Sequence, residues 1–374
     1  MSRIGAHELL RQVLDPGSWV SWNTQPVEPA AVSPSYADQL ARARDRTGLD
    51  ESVVTGAGSI RGRRVVVLAC EFDFLAGSIG VGAAERLVHA IERATAEGLP
   101  LVASPTSGGT RMQEGTVAFL QMVKISAAVT RHKAAGLPYL VYLRHPTTGG
   151  VFASWGSLGQ VTAAEPGAMI GFLGPRVYEA LYGDTFPEGI QVAENLFDHG
   201  LLDAVIAAAE LPEIAARALN VLCAPQEGPA DVADMAQEPI TEVPAWESIQ
   251  RSRRRDRPGV REMLRLAARD VTPLHGTGEG EGEPALRLAL ARFGRAPCIL
   301  LGQDRTRQAK GQQLGPAGLR KARRGMQLAR ELRLPLVTII DTAGAALSSQ
   351  AEQGGLAGEI ARCVSELVTL ETVH

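Results

Sequence analysis

Ser104-Pro-Thr-Ser-Gly-Gly-Thr-Arg-Met-Gln-Glu-Gly115 is the stretch whose reading decides the fold. Leu99-Pro-Leu-Val-Ala103 before it is the apolar run of a buried strand, and a helical pattern from Val117 to Ala135 comes after it. A strand that empties through Ser-Gly-Gly into a helix turns backbone N–H groups outward with the helix dipole behind them. Such a turn can hold a phosphate, a carboxylate or a developing enolate oxygen. The arrangement recurs directly. Leu137–Leu143 is the strand, His145-Pro-Thr-Thr-Gly-Gly150 the turn and Val151–Leu158 the helical start.

Working outward, Val53-Val-Thr55 opens a hairpin with a turn expected at Gly56-Ala-Gly58 and a return strand Val65–Ala69. Ala84, Leu87, Val88, Ile91 and Ala94 stand at helical spacing. Strand Ala168–Phe172, helix Pro175–Leu181, helix Val192–Phe197, strand Leu202–Ile206 and helix Leu211–Leu222 follow. This alternation predicts a layered α/β domain over 51–223, preceded by a helical lead-in at 1–50. Residues 224–244 carry four prolines and only acidic charges, as a linker does. In 245–374, strands are expected at Ala285–Phe293 and Pro297–Gly302.

This second part echoes the first. Leu334-Pro-Leu-Val337 repeats Leu99-Pro-Leu-Val102, each after a helix (Ala83–Gly98, Ala317–Arg333), and Asp341-Thr-Ala-Gly344 stands where Thr106-Ser-Gly-Gly109 stands. Helix Leu356–Leu370 matches helix 117–135. The order of elements points to duplication. The interval from Leu99 to Pro138, counted from Leu334, reaches Val373, so the second copy is expected to be truncated just before its own second strand and Gly-Gly turn.

The 374 residues suffice for two domains with substantial cores. A net charge of −3 gives no global field for nucleic acid or an acidic membrane. No apolar run is long enough to span a bilayer, and the N-terminus lacks a signal-peptide core, so a cytoplasmic protein is expected. Cys70, Cys223, Cys298 and Cys363 form no C-x-x-C pair, which argues against a zinc site or a disulfide framework.

Three stretches carry a resemblance. Ser107-Gly-Gly-Thr-Arg-Met-Gln-Glu-Gly115, Pro146-Thr-Thr-Gly-Gly-Val-Phe-Ala-Ser154 and Glu165-Pro-Gly-Ala-Met-Ile-Gly-Phe-Leu-Gly-Pro-Arg176 resemble, in order, elements of the carboxyltransferases of biotin-dependent acyl-CoA carboxylases, in the crotonase-like superfamily. Ala245–Gln250 and Leu334–Gly344 resemble the α-type half more loosely, so the whole is similar to a fused β–α form. The fold this implies is crotonase-like (ClpP/crotonase), a repeated ββα superhelix in two related domains, β-type over 51–223 and α-type over 245–374. The zinc ribbon common in bacterial β subunits is absent from the sequence.

The resemblance implies transfer of CO2 from carboxybiotin, borne by a separate biotin carboxyl carrier protein and charged by biotin carboxylase, to the α-carbon of acetyl-CoA or a short acyl-CoA thioester. Gly149 and Gly150 would be the hole for the thioester enolate. Gly108, Gly109 and Arg111, with Gly171 and Gly174, would shape and seat the substrate, and Gly344 and Ala345 mark the second turn. Backbone N–H groups suit an enolate because they are fixed, neutral and cannot be titrated away. No Ser-His-Asp or carboxylate dyad competes as a catalytic machine. The alternatives are a malonate decarboxylase subunit, running the same hole in reverse, and a non-catalytic assembly subunit. A homo- or hetero-oligomer is expected, with apolar faces around Gly150–Leu158 and Leu356–Leu370 meeting across subunits.

Several residues have plainer readings. His145 reads as a turn histidine, Glu114 as a local cap, Asp341 as a turn-fixing residue, and Arg251–Arg257 as a solvated arm or a contact for CoA phosphates. Arg320, Lys321, Arg323 and Arg324 read as an exposed helix face.

Overall fold

The computed structural model describes residues 3–29, 32–225, 242–254, 256–342 and 344–373. Most of the expected linker, residues 226–241, lies outside the described residues, as do Arg255 and Ala343.

The lead-in comprises helix α1 (Ala6–Val13), strand β1 (Val20–Ser21) and helix α2 (Pro34–Thr47). It is built into the first unit. Leu9, Leu10 and Val13 of α1 enter the core, and β1 pairs antiparallel with β2 (Val53–Ile60). The hairpin turn is not at Gly56–Gly58: β2 runs unbroken to Ile60 and the chain reverses at Arg61-Gly62 into β3 (Arg63–Cys70). Gly56 is glycine because the lead-in crosses it. A Cβ there would stand 2.3 Å from the Val20 carbonyl oxygen.

Helix α3 (Val81–Ala96), strand β4 (Leu101–Ser104), helix α4 (Gly115–Ala134) and strand β5 (Tyr139–Leu143) come next, close to their expected limits. Then follow β6 (Thr147–Thr148), α5 (Gly149–Phe152), β7 (Val161–Ala164), β8 (Ile170–Gly171), α6 (Pro175–Tyr182), α7 (Ala193–Asp198), β9 (Ala204–Val205) and α8 (Leu211–Leu222). The sheet order is β1-β2-β3-β4-β5-β7-β9, antiparallel as far as β3 and parallel beyond. Its central strands are covered on both faces, so they read as continuous apolar runs. Helices α3 and α4 pack on one face, against Val66, Leu68 and Leu101, and α1 and α8 on the other, against Val67, Val102 and Leu140.

The second unit holds α9 (Ala245–Ser252), α10 (Val260–Leu266), β10 (Ala268–Leu274), β11 (Leu286–Phe293), β12 (Ala296–Gln303), α11 (Arg305–Gln308), α12 (Pro316–Leu332), β13 (Leu336–Ile339), α13 (Ser349–Gln353) and α14 (Leu356–Val368). Its sheet runs β10-β11-β12-β13, with the first two pairings antiparallel and the last parallel. Strand β10 was not expected, because Arg269 and Asp270 mask its apolar alternation.

The duplication extends to single hydrogen bonds at a spacing of 235 residues, Leu99 to Leu334. Gly80 and Gly315 cap α3 and α12 with nearly the same backbone angles (φ −103, ψ −170; φ −105, ψ −171). The parallel bridge Ile79–Thr110 recurs as Leu314–Ala345. Gly109 N–H donates to Ser107 Oγ, and Gly344 N–H to Thr342 Oγ1. Leu101 N–H donates to Pro138 O, and Leu336 N–H to Val373 O, both at 2.9 Å.

The two units share one core. Leu219 and Val221 of α8 are buried in the same cluster as Val54 and Val67 of the first sheet and Leu288, Leu290 and Met326 of the second unit. The basic face of α12 is therefore not exposed. Arg324 pairs with Asp203 of the first unit (2.9 Å), Arg320 and Arg323 with Glu359 (3.5 and 3.2 Å), and Lys321 is buried. Charged helix faces usually meet water, but this one seals the joint against α14 and the 200–203 loop.

Candidate functional site

The site lies where the loops after β4, β5 and β7 leave the carboxyl ends of parallel strands, the crevice in which open α/β sheets bind ligands. The loops are zipped to one another as a small second sheet. Ser107 N–H donates to Pro146 O (2.7 Å) and Thr148 N–H to Ser107 O (2.9 Å). On the far side Thr147 N–H donates to Met169 O (2.9 Å) and Gly149 N–H to Phe172 O (3.0 Å), with β6 and β8 in parallel register. Gly108, Gly109, Gly149, Gly150 and Gly171 are thereby gathered in one place. Gly174 lies just beyond, preceding α6. Gly344 and Ala345 stand apart in the second unit, bridged to Leu314.

The two glycine pairs touch. Gly109 has φ +112 and Gly149 φ +61, values an L side chain resists. A Cβ on Gly149 would lie 3.3 Å from Gly109 Cα, and one on Gly109 would lie 3.6 Å from Gly150 N.

The donor inventory separates what is committed from what is open. Gly108 N–H is spent on Ala76 O (2.9 Å), Gly109 N–H on Ser107 Oγ (3.0 Å) and Gly149 N–H on Phe172 O. The N–H groups of Thr110 and Gly150 have no acceptor among the described residues, and both residues are half-buried. They are neighbours, since a Cβ on Gly150 would stand 3.0 Å from Thr110 Cγ2. Of the expected Gly149–Gly150 pair, only the Gly150 N–H is open among the described residues. Gly149 builds the turn and Gly150 offers the donor. Thr110 was missed, although its repeat partner Ala345 was singled out; matching the two turns residue by residue would have found it.

Arg111, expected to help seat the substrate, is found in ion pairs. Its guanidinium is only 1% exposed and is bound to Glu51 (2.9 and 2.5 Å), Ser52 Oγ (3.1 Å) and Ser78 O (2.7 Å), so it braces the turn from behind and does not reach ligand. Glu114, also buried, accepts the Tyr36 hydroxyl (2.5 Å) and the Val81 N–H at the start of α3 (2.6 Å). That is the capping role expected of it. Burial raises the Tyr36 phenol well above its ordinary value, so it stays a donor.

His145 is a turn residue. Its Nδ1 accepts the Met169 N–H (3.0 Å), its own N–H donates to Glu165 (3.0 Å), and burial, with Arg3 nearby, lowers its pKa. Asp341 pairs with Arg257, so the end of the arginine cluster is not a solvated arm.

Apolar residues are exposed on the elements that leave the turns. Met112, Val117, Phe119, Leu120 and Val123 are exposed on one side and Phe172, Leu181 and Tyr182 on the other. The expected apolar face at Gly150–Leu158 is not exposed, because Val151 and Trp155 are core residues. Along α14, Ile360, Val364 and Val368 do form an exposed stripe. Among the described residues no helix is long and apolar enough to cross a membrane.

Comparison with known proteins agrees in kind. The carboxyl transferase domain family matches residues 8–373. The chain is 62% identical over 373 residues to a probable biotin-dependent acyl-coenzyme A carboxylase beta3 subunit of Mycobacterium tuberculosis (strain CDC 1551 / Oshkosh), covering 100% of this chain and 74% of the relative. It is 36% identical over 381 residues to acetyl-coenzyme A carboxylase carboxyl transferase subunits beta/alpha of Saccharopolyspora erythraea, covering 99% and 67%. In three dimensions it resembles transcarboxylase 12S with TM-score 0.76 at 21% identity, over 99% of this chain and 71% of that one, a likeness of fold.

Proposed function

Because the chain belongs to the carboxyl transferase domain family, we propose that it is the carboxyltransferase component of a biotin-dependent acyl-CoA carboxylase, with acetyl-CoA or another short acyl-CoA as acceptor and malonyl-CoA or its homologue as product. The observation that carries this reading is the pair of open amides at Thr110 and Gly150, beside a helix α4 that packs on α5 and carries exposed apolar residues. The Gly150 N–H, with Thr110 beside it, would hold the thioester oxygen as charge builds there, the α-proton passing to the ureido group of the biotin that has given up its CO2. One such preorganised donor is worth on the order of 10²–10³ in rate, about 3–4 kcal/mol. Exposed Phe172 and the turns at Gly171 and Gly174 offer the wall along which the thioester arm lies.

Carboxybiotin, delivered on a separate carrier protein, supplies the carboxyl group. Among the described residues the Ala345 N–H, like that of Thr110, has no acceptor, and it is the donor in the second unit suited to a carbonyl oxygen on the biotin side. The exposed apolar surfaces on α4 and α14 support assembly into an oligomer.

The test is carboxyl transfer with biotin carboxylase and charged carrier supplied, across acetyl-, propionyl- and longer acyl-CoA. Turnover is expected with the short thioesters. Gly150→Pro, which deletes the N–H, is expected to lower kcat about 10²–10³-fold. A folded Gly150→Pro protein with wild-type turnover overturns the assignment.

A further inference from the structure

The repeat exposes one buried charge that has lost its partner. In the first unit Arg86 of α3 is buried, donates to Val53 O (2.9 Å) and is held by both oxygens of Asp50 (2.9 and 2.8 Å). Lys321 of α12 is its counterpart at the same 235-residue spacing, and its Nζ donates to Leu286 O (2.9 Å), the counterpart of Val53 O. The strand register that matches Val53 to Leu286 matches Asp50 to Glu283. Yet the Glu283 carboxylate accepts from the Ala285 N–H (2.7 Å), and Lys321 Nζ donates to the Glu283 backbone carbonyl (3.2 Å) rather than to that carboxylate. The ammonium is 5% exposed and has no carboxylate within ion-pair distance among the described residues.

Lys321 borders a cavity of about 300 Å³ at the joint between the units, at the lower end of the size of small-molecule sites. Phe197 and Asp203 come from the first unit, and Leu264, Val271, Leu274 and Leu288 supply apolar wall. Two further cations border it. Arg287 shares the single buried carboxylate of Asp304 with Arg261, and the Arg307 guanidinium has no acceptor among the described residues. The Asp203 carboxylate is already neutralised by Arg324. Glu283 also lines the cavity, so the carboxylates of Asp203, Asp304 and Glu283 stand against Lys321, Arg261, Arg287, Arg307 and Arg324, and positive charge remains in surplus beside hydrocarbon walls.

We propose that this cavity binds a small organic monocarboxylate with a short hydrocarbon body, its carboxylate between Lys321 and Arg307 and its chain against Leu264, Val271 and Leu274. A carboxylate restores to Lys321 the counter-charge that Asp50 gives Arg86. The apolar walls favour an acid with one charge over a polyanion, whose further charges would be desolvated without partners.

The probes are butyrate, its neutral isostere butyramide, and inorganic phosphate, followed by thermal unfolding and ligand-observed NMR on the full chain. Butyrate is expected to bind and raise Tm, with butyramide and phosphate at least tenfold weaker. Arg307→Gln, on the half-exposed rim, is expected to weaken butyrate at least tenfold, and Lys321→Met to abolish it. Equal binding of butyramide or of phosphate overturns the proposal, as does undiminished butyrate binding by folded Arg307→Gln. Neither variant touches the Thr110–Gly150 turn, so failure here leaves the carboxyltransferase reading standing.

Discussion

Gly149→Ala tests the contact between the two turns more sharply than any deletion. A left-handed L-residue costs roughly 1–2 kcal/mol, and Gly149 has φ +61. Gly98, at the end of α3, has nearly the same angle, φ +65, but a Cβ there meets nothing within 4 Å. The pair separates backbone strain from crowding. Both substitutions should destabilise the protein by about 1–2 kcal/mol in urea unfolding. Only at Gly149 does the new carbon fall 3.3 Å from Gly109 Cα, inside the 3.5–4.0 Å optimum for carbon–carbon contact, so the turns must part by a few tenths of an ångström. If a misplacement of about 1 Å costs on the order of 10²-fold in rate, that parting costs about 5- to 10-fold in kcat. The assay is carboxyl transfer at saturating acyl-CoA. Equal turnover by folded Gly98→Ala and Gly149→Ala would refute the claim that glycine-to-glycine contact sets the donor geometry.

Three further outcomes follow from the same contacts. Glu51→Ala leaves the buried Arg111 guanidinium with Glu114, at 3.6 Å, as its remaining carboxylate and should cost about 3 kcal/mol in unfolding, the lower end for a broken buried pair; a loss under about 1 kcal/mol would show that the brace is dispensable. His132 is buried between α3 and α4, and burial pushes its imidazole down to about 4, whereas the unfolded chain titrates at its ordinary 6.5. The unfolded state therefore binds the extra proton between those values, so stability is full above about pH 6.5 and falls by about 3 kcal/mol as pH drops toward 4; urea unfolding of His132→Gln should show a shallower pH slope over that window. Val123→Glu, on the exposed face of α4, should leave unfolding within about 0.5 kcal/mol of wild type and shift sedimentation toward smaller species, and an unchanged sedimentation profile would remove α4 from the interface.

Much of the fold was legible because period and punctuation agree in its helices. The limits of α8 were read to the residue, and those of α3, α4 and α12 to within a few. The hairpin turn was misplaced because Gly56-Ala-Gly58 carries turn chemistry, while the real cause of its glycines is a strand arriving from 36 residues earlier in the case of Val20 on Gly56. Local pattern does not encode that approach. The site was half legible. Paired glycines located the turns, but which amides stay open depends on carbonyls from Ala76 and Phe172, far away in sequence. The charge reading failed for a related reason. Lys321 looks like a surface residue until Glu283 and the joint between the units enclose it, and Arg111 looks free to seat a ligand until Glu51 pairs with it.

Helix α8 ends immediately before the acidic, proline-punctuated tract, and its apolar residues lie between the two sheets. The halves are thus glued by a common interior, which does not depend on the covalent link between them. A gene cut within codons 226–241 should yield two polypeptides that recombine spontaneously when co-produced, each poorly behaved alone. For such an architecture, one chain or two is a matter of genetic bookkeeping and leaves the folded object unchanged.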